Sequence, residues 1–329
     1  MANANNNGKL TIANIIAMAG LVLLFAFTFL GHSFKSGGEM GWDILVAVAV
    51  TALAAFMLWF LVKAKGAENQ LEKWRKIEIG TLVAYVVVVI PLSFTGGVTN
   101  FFAANADKAR YKELARRDIA KIDTMFSHYE DFENNAIVRT GTGLRNSVGI
   151  GQRRSQELVS YMQQNNIAPS LMSVENYEDF QRMQILGTTY KKFQEQYKAE
   201  RDEIANAVDS WNVLQIPSQA KRIDKLAEST AMWLTKRSES AKLPLVEYYS
   251  TAEMYSITSP NQTEQYQVEG GVSGLEFRNA LMSAGGMSFG SILFLVIVHI
   301  LILLNYFVAY RTHSLGLSKH TDNDGGITL

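Results

Sequence analysis

The chain has 329 residues, sets 31 Lys and Arg against 31 Asp and Glu, and contains no cysteine. The missing thiol excludes disulfides, zinc–thiolate sites, iron–sulfur clusters and cysteine nucleophiles, and the even charge offers no basic footprint for nucleic acid. A mean hydropathy close to zero conceals a segregation, because residues 105–285 hold 22 of the 31 cations and 24 of the 31 anions.

After a short tail (1–9), the first hundred residues carry three long apolar stretches, 10–30, 44–62 and 79–102, and a fourth follows at 287–310. A run of about 18 or more residues with almost no charge crosses a hydrocarbon core of roughly 30 Å as a helix. The helix is obligatory there because lipid offers no partner for a free N–H or C=O. Residues 10–102 are therefore expected to form a three-helix membrane region and 286–310 a fourth membrane helix. The first stretch exceeds a typical signal-peptide core, and Gly31-His32-Ser33 is a poor cleavage site, so it is read as retained. The first loop has one basic residue, Lys35, and the second has Lys63, Lys65, Lys73, Arg75 and Lys76. That asymmetry predicts a cytoplasmic second loop and tail and an external large domain. The basic residues Lys108, Arg110, Lys112, Arg116 and Arg117 just beyond the third stretch oppose this assignment.

Within the stretches, Ala47, Thr51 and Ala55 repeat small side chains every four residues, and Gly286 and Gly290 share that spacing. Small faces let helix backbones approach closely, so both sets are candidates for helix packing. Pro91 should kink the third span, softened at its outer end by Gly96-Gly97. His299 and Asn305 place polar groups inside the fourth span, where they are costly and often functional. Asp43 and Glu78 fall at helix ends, so no relay of ionisable groups is expected. A neutral His299 bonded to a neighbouring helix accounts for the imidazole.

Residues 103–285 are expected to form a mostly helical domain outside the membrane. Apolar residues recur at three–four spacing from Asp107 to about Ile137, ending at a Gly-rich break over 140–151. Further helices are predicted at 153–164, from the cap Ser173 to about Trp211, and from the cap Ser218 to about Ser240, the last two forming a hairpin. Residues 246–257 and 265–268 could pair as a small β-hairpin near 246–268. Asn261-Gln-Thr263 matches a glycosylation acceptor at chance frequency. The tail 311–329 reads as disordered and cytoplasmic.

The sequence offers no chemistry. Gly141-Thr-Gly143 and Gly149-Ile-Gly151 lack the Gly-Lys-Ser/Thr of a phosphate loop, and His128, Glu130 and Asp131 diverge around a helix instead of converging on a metal. Aromatic residues along the long helices read as a core seam. No catalytic residue, cofactor or metal is expected. The layout predicts a non-enzymatic, multi-pass scaffold of a bacterial inner membrane. Its expected partners are the bilayer and other envelope or membrane subunits, with a homo-oligomer possible and nucleic acid excluded. A ligand- or peptide-binding sensor subunit and an oligomeric channel gated by the domain are the alternatives.

Overall fold

The computed structural model describes residues 3–66, 71–148, 174–241, 243–249, 254–263, 265–268, 274–286 and 288–309. They belong to two compact units: one combines the chain up to Lys108 with the chain from Leu281 onward, and the other is Ala109–Ala280.

The first unit has four helices long and apolar enough to span a membrane: Ile12–Ser36, Met40–Lys65, Glu72–Ser93 and Phe289–Val308. The first lies in α1 (Asn3–Ser36), the second is α2 (Met40–Lys65), and the fourth we number α11 (Phe289–Val308). The helix reaches back to Asn3, so most of the expected tail is absorbed into α1. Adding residues to a formed helix is far easier than nucleating one, which carries it through poor formers such as the Asn run. Phe27 meets Phe294 at 4.2 Å between ring centroids, and Gly20 faces Ile302, so α1 and α11 run antiparallel. The core is made by residues such as Leu24, Ala54, Tyr85, Val298 and Ile302. No more than 39 % of any span's residues are buried in the bundle. The remainder, including Val22, Val48, Phe56, Val87 and Ile300, leaves an apolar shell suited to lipid.

The third span departs from expectation. It runs as α3 (Leu71–Ala84), a π-helical turn over Tyr85–Val89, α4 (Ile90–Ser93), a second π turn over Phe94–Val98, and α5 (Thr99–Ala106). The break expected at Pro91 falls at Gly97, whose φ of 92° is accessible to glycine at little cost. Pro91 sits just after the first π turn, where Ile90 N–H bonds Tyr85 O five residues back. That wider turn re-registers the hydrogen bonds ahead of the proline, so its missing donor does not break the helix.

The second unit contains α6 (Lys108–Val148), α7 (Val174–Leu186), α8 (Thr188–Ser210), α9 (Ile216–Ala241), β1 (Pro244–Tyr249) and β2 (Met254–Thr263); α10 (Phe277–Ser283) straddles the boundary between the units. The Gly-rich break is not where the sequence suggested, since α6 runs through Gly141 and Gly143. At Gly141 an added Cβ would overlap the Glu178 side chain, so this glycine admits α7 closely instead of ending the helix. The single helix expected up to Trp211 is two, parted at Gly187, where a Cβ would collide with the Met183 carbonyl. Trp211 closes α8 in the left-handed region at φ 50°, with its ring stacked near Tyr111. The next helix starts at Ile216, ahead of the expected cap Ser218, because Pro217 fits a first turn, where its missing N–H is no loss. The α8–α9 pair is antiparallel: Phe193 stacks on Trp233 while Glu203 bonds Arg222.

The hairpin exists with different partners. Val246 pairs with Ile257 and Tyr248 with Tyr255, so both strands come from a stretch read as one, and 265–268 lies outside the ladder. Tyr266 explains this: its N–H bonds Ser238 Oγ at 2.8 Å and its hydroxyl donates to Met125 O at 3.2 Å, committing the segment to the helices. The expected helix at 153–164, the cap Ser173 and the tail 311–329 lie outside the described residues.

Candidate functional site

Among the described residues, three polar side-chain pairs join helices of the membrane-length bundle. At the α1–α2 end, His32 Nδ1 is 2.7 Å from Asp43 Oδ1, and Asp43 is fully buried. Midway along, Tyr85 O–H lies 2.9 Å from His299 Nδ1. Farther down, Tyr306 O–H donates to the buried Glu78 Oε1 at 2.6 Å. Glu78 precedes Tyr85 by seven residues and Tyr306 follows His299 by seven. On antiparallel helices one two-turn step therefore carries both partners from one rung to the next. Lys65 Nζ then donates to Tyr306 O at 2.7 Å and lies 4.7 Å from that ring's centroid. A cation at the carboxyl end of α11 suits its unsatisfied carbonyls and its dipole. Unpaired polar groups in hydrocarbon cost several kcal/mol, so such pairs favour one register of the helices. Asp43 lies in the first turn of α2, at the helix end as expected, and Glu78 lies in the middle of α3; both are buried.

The predicted packing residues fare unevenly. Ala47 is fully buried, but the buried row of α2 continues through Val50, Ala54 and Leu58, leaving Thr51 and Ala55 at its margin. Gly286 and Gly290 meet no other helix of this chain among the described residues. Ser288 caps α11 by accepting from Ser291 N–H, which leaves Gly286 outside the helix at φ 146°, and a Cβ on Gly290 would touch only Ser288 Oγ at 3.9 Å. The close approaches are elsewhere. A Cβ on Gly20 would lie 2.9 Å from Ile302 Cγ1, and Gly31 and Gly97 meet backbone to backbone, so a Cβ on either would overlap the other. Neither was visible as a spaced motif, because each glycine finds its partner on another helix. Asn305 is buried, and its Oδ1 has no hydrogen-bond partner among the described residues.

In the second unit the aromatic residues form a core seam. Phe193 stacks on Trp233 at 3.9 Å, and Tyr129 stacks on Tyr190 at 5.5 Å. Tyr190 O–H donates to Glu130 at 2.7 Å and Tyr197 O–H to Asp123 at 2.9 Å. Burial raises the Tyr129, Tyr190 and Tyr197 phenols well above the ordinary range, reinforced by the Glu130 hydrogen bond at Tyr190 and the Asp123 charge at Tyr197. Glu130 is thereby engaged, and no three His, Asp or Glu side chains gather at a metal-sized point among the described residues.

One contact joins the incoming and outgoing ends of this unit. Asp118, on α6 and 1 % exposed, accepts from Glu276 N–H at 2.8 Å and Phe277 N–H at 2.7 Å, capping α10 from another helix. Lys121 closes the corner, donating to Gly274 O and lying 3.5 Å from Asp118. No local pattern reveals this cap, because donor and acceptor are far apart in sequence.

No family model, curated protein or solved structure matches the chain.

Proposed function

We propose that the chain is a non-enzymatic structural or assembly subunit of an envelope membrane complex of the secretion or export type. In this reading it sits in a bacterial inner membrane, presents residues 109–280 outside, and keeps the Lys63–Lys76 loop and the tail in the cytoplasm. The observation that carries it is the Asp118 clamp, which ties the start of the displayed unit to its exit helix. A unit tethered at both ends, with its own two ends tied together, suits docking of other subunits better than a free arm would. Exposed Phe180, Met183 and Met232 give it apolar surface to offer them.

Mild-detergent purification of the tagged full chain from its native membrane tests this. The expected result is a stoichiometric complex with defined envelope proteins that is lost in Phe180→Asp/Met183→Asp. A partner-free species overturns the reading. Reporter fusions at Gly37, Gly66, Gly271 and Leu329 test the orientation, with Gly271 expected on the opposite side from Gly66. An oligomeric channel is the competing reading, favoured by buried Thr28, Thr51 and Asn305 hydroxyl or amide oxygens without hydrogen-bond partners among the described residues. Ion flux from purified protein in liposomes would support it.

A further inference from the structure

The junction of α2 and α3 concentrates charge at one end of the bundle, with five cations and two carboxylates between residues 63 and 76. Two of the cations are committed: Lys65 to the α11 carbonyls, and Lys76 to Glu72 at 3.0 Å. Lys63, Lys73 and Arg75 are exposed and have no carboxylate in ion-pair contact among the described residues. Lys63 Nζ instead lies 4.8 Å over the Trp59 ring. Trp59 is 54 % exposed and Phe56 57 %, within a helix whose uncovered surface is apolar and suited to lipid. Aromatic rings beneath a cation at the end of a membrane helix sit where acyl chain gives way to headgroup.

We infer that this end of the bundle is a binding surface for anionic phospholipid. Lys63, Lys73 and Arg75 would hold the phosphate-bearing headgroup, and Trp59 and Phe56 would lie along the acyl chains. Charge complementarity carries the assignment: three exposed cations at this end of the bundle have no carboxylate partner among the described residues, and one of them, Lys63, lies over the exposed Trp59 ring, which a soluble anion would not use. Each such cation favours an anionic headgroup over a neutral one by about fivefold. The inference goes beyond the scaffold reading and does not depend on it.

The test uses the full chain in bilayers of phosphatidylcholine mixed with phosphatidylglycerol, with brominated acyl chains placed on one lipid at a time. Bromine quenches nearby tryptophan, and the difference between wild type and Trp59→Phe isolates the Trp59 signal. Brominated phosphatidylglycerol is expected to quench Trp59 at a several-fold lower mole fraction than brominated phosphatidylcholine, and 0.5 M salt should weaken that preference. Lys63→Ala/Lys73→Ala/Arg75→Ala should remove it, leaving the two lipids equivalent. Lys63→Arg, which keeps the charge, should retain it. Equal quenching by both lipids in wild type, or a preference that survives the triple substitution, overturns the inference. So does abolition of the preference by millimolar inorganic pyrophosphate, which would mark a site for free phosphate.

Discussion

Asp118 joins two distant helices through one side chain. Its carboxylate satisfies two amide donors at the start of α10 while itself 1 % exposed. Asp118→Ala removes an N-cap and leaves buried donors unmet, which should cost about 1–3 kcal/mol. Asp118→Asn, whose amide oxygen still accepts, should lose less. Chemical denaturation of the purified full chain measures the difference, and equal losses would show that the cap is not the main term. Inside the bundle, Tyr306→Phe removes the phenol that donates to Glu78. Interhelical bonds of this kind are worth about 0.6 kcal/mol on average. A double-mutant cycle with Glu78→Leu, which leaves no acceptor, should give a coupling near that size, and a null coupling would show the pair contributes nothing to the register. The sequence placed His299 inside the fourth span, bonded to a neighbouring helix, but did not name the residue that bonds it. It missed the Tyr85 and Tyr306 partners because a tyrosine in an apolar run looks like core or interface until its hydroxyl has a neighbour.

For single elements, the spacing of glycines along a helix does not reveal which of them make close contacts. Gly286 and Gly290 have the packing spacing and no close packing contact, whereas Gly20, Gly31 and Gly97 have no mutual spacing and make the close approaches. Spacing describes one helix; approach depends on which helix arrives opposite. The same difference predicts opposite signs on substitution. Gly80 lies in α3 with nothing within 4 Å of an added Cβ, so Gly80→Ala should stabilise by up to about 1 kcal/mol through helix propensity. Gly97→Ala meets both the Gly31 backbone and an unfavourable φ and should destabilise by about 2 kcal/mol or more. Thermal unfolding in detergent reads both, and matching signs would contradict the geometry. Pro91 is a related case: a proline forces local accommodation, and here a π turn provides it while the helical backbone continues.

For the molecule as a whole, three of the buried phenols of the helical unit, Tyr129, Tyr190 and Tyr197, set an alkaline limit. Their folded-state pKa values are raised above the unfolded value near 10, so the protonated form is preferred on folding. The stability they confer is complete below pH 10 and is lost as pH rises beyond it. Tyrosinate absorbance near 295 nm should therefore appear for these residues together with loss of helical circular dichroism. Ionisation of all the tyrosines while helicity persists would contradict their burial. Tyr197→Phe removes one of the three and should shift the transition to higher pH, provided the variant retains its helical spectrum.

The sequence by itself determined that four segments are long and apolar enough to cross a membrane, and that a mostly helical, charge-rich unit lies between the third and fourth. Those are properties of composition and period along the chain, set by lipid's refusal to satisfy a bare backbone and by the amphipathic stripe each soluble helix must bury. Only the tertiary structure decided the Gly31–Gly97 crossing, the Tyr85–His299 and Glu78–Tyr306 rungs, the Asp118 cap and the true partner strand of β1. Each depends on two residues brought together from distant parts of the chain, and a distance of a few ångströms between helices leaves no mark on the spacing within either.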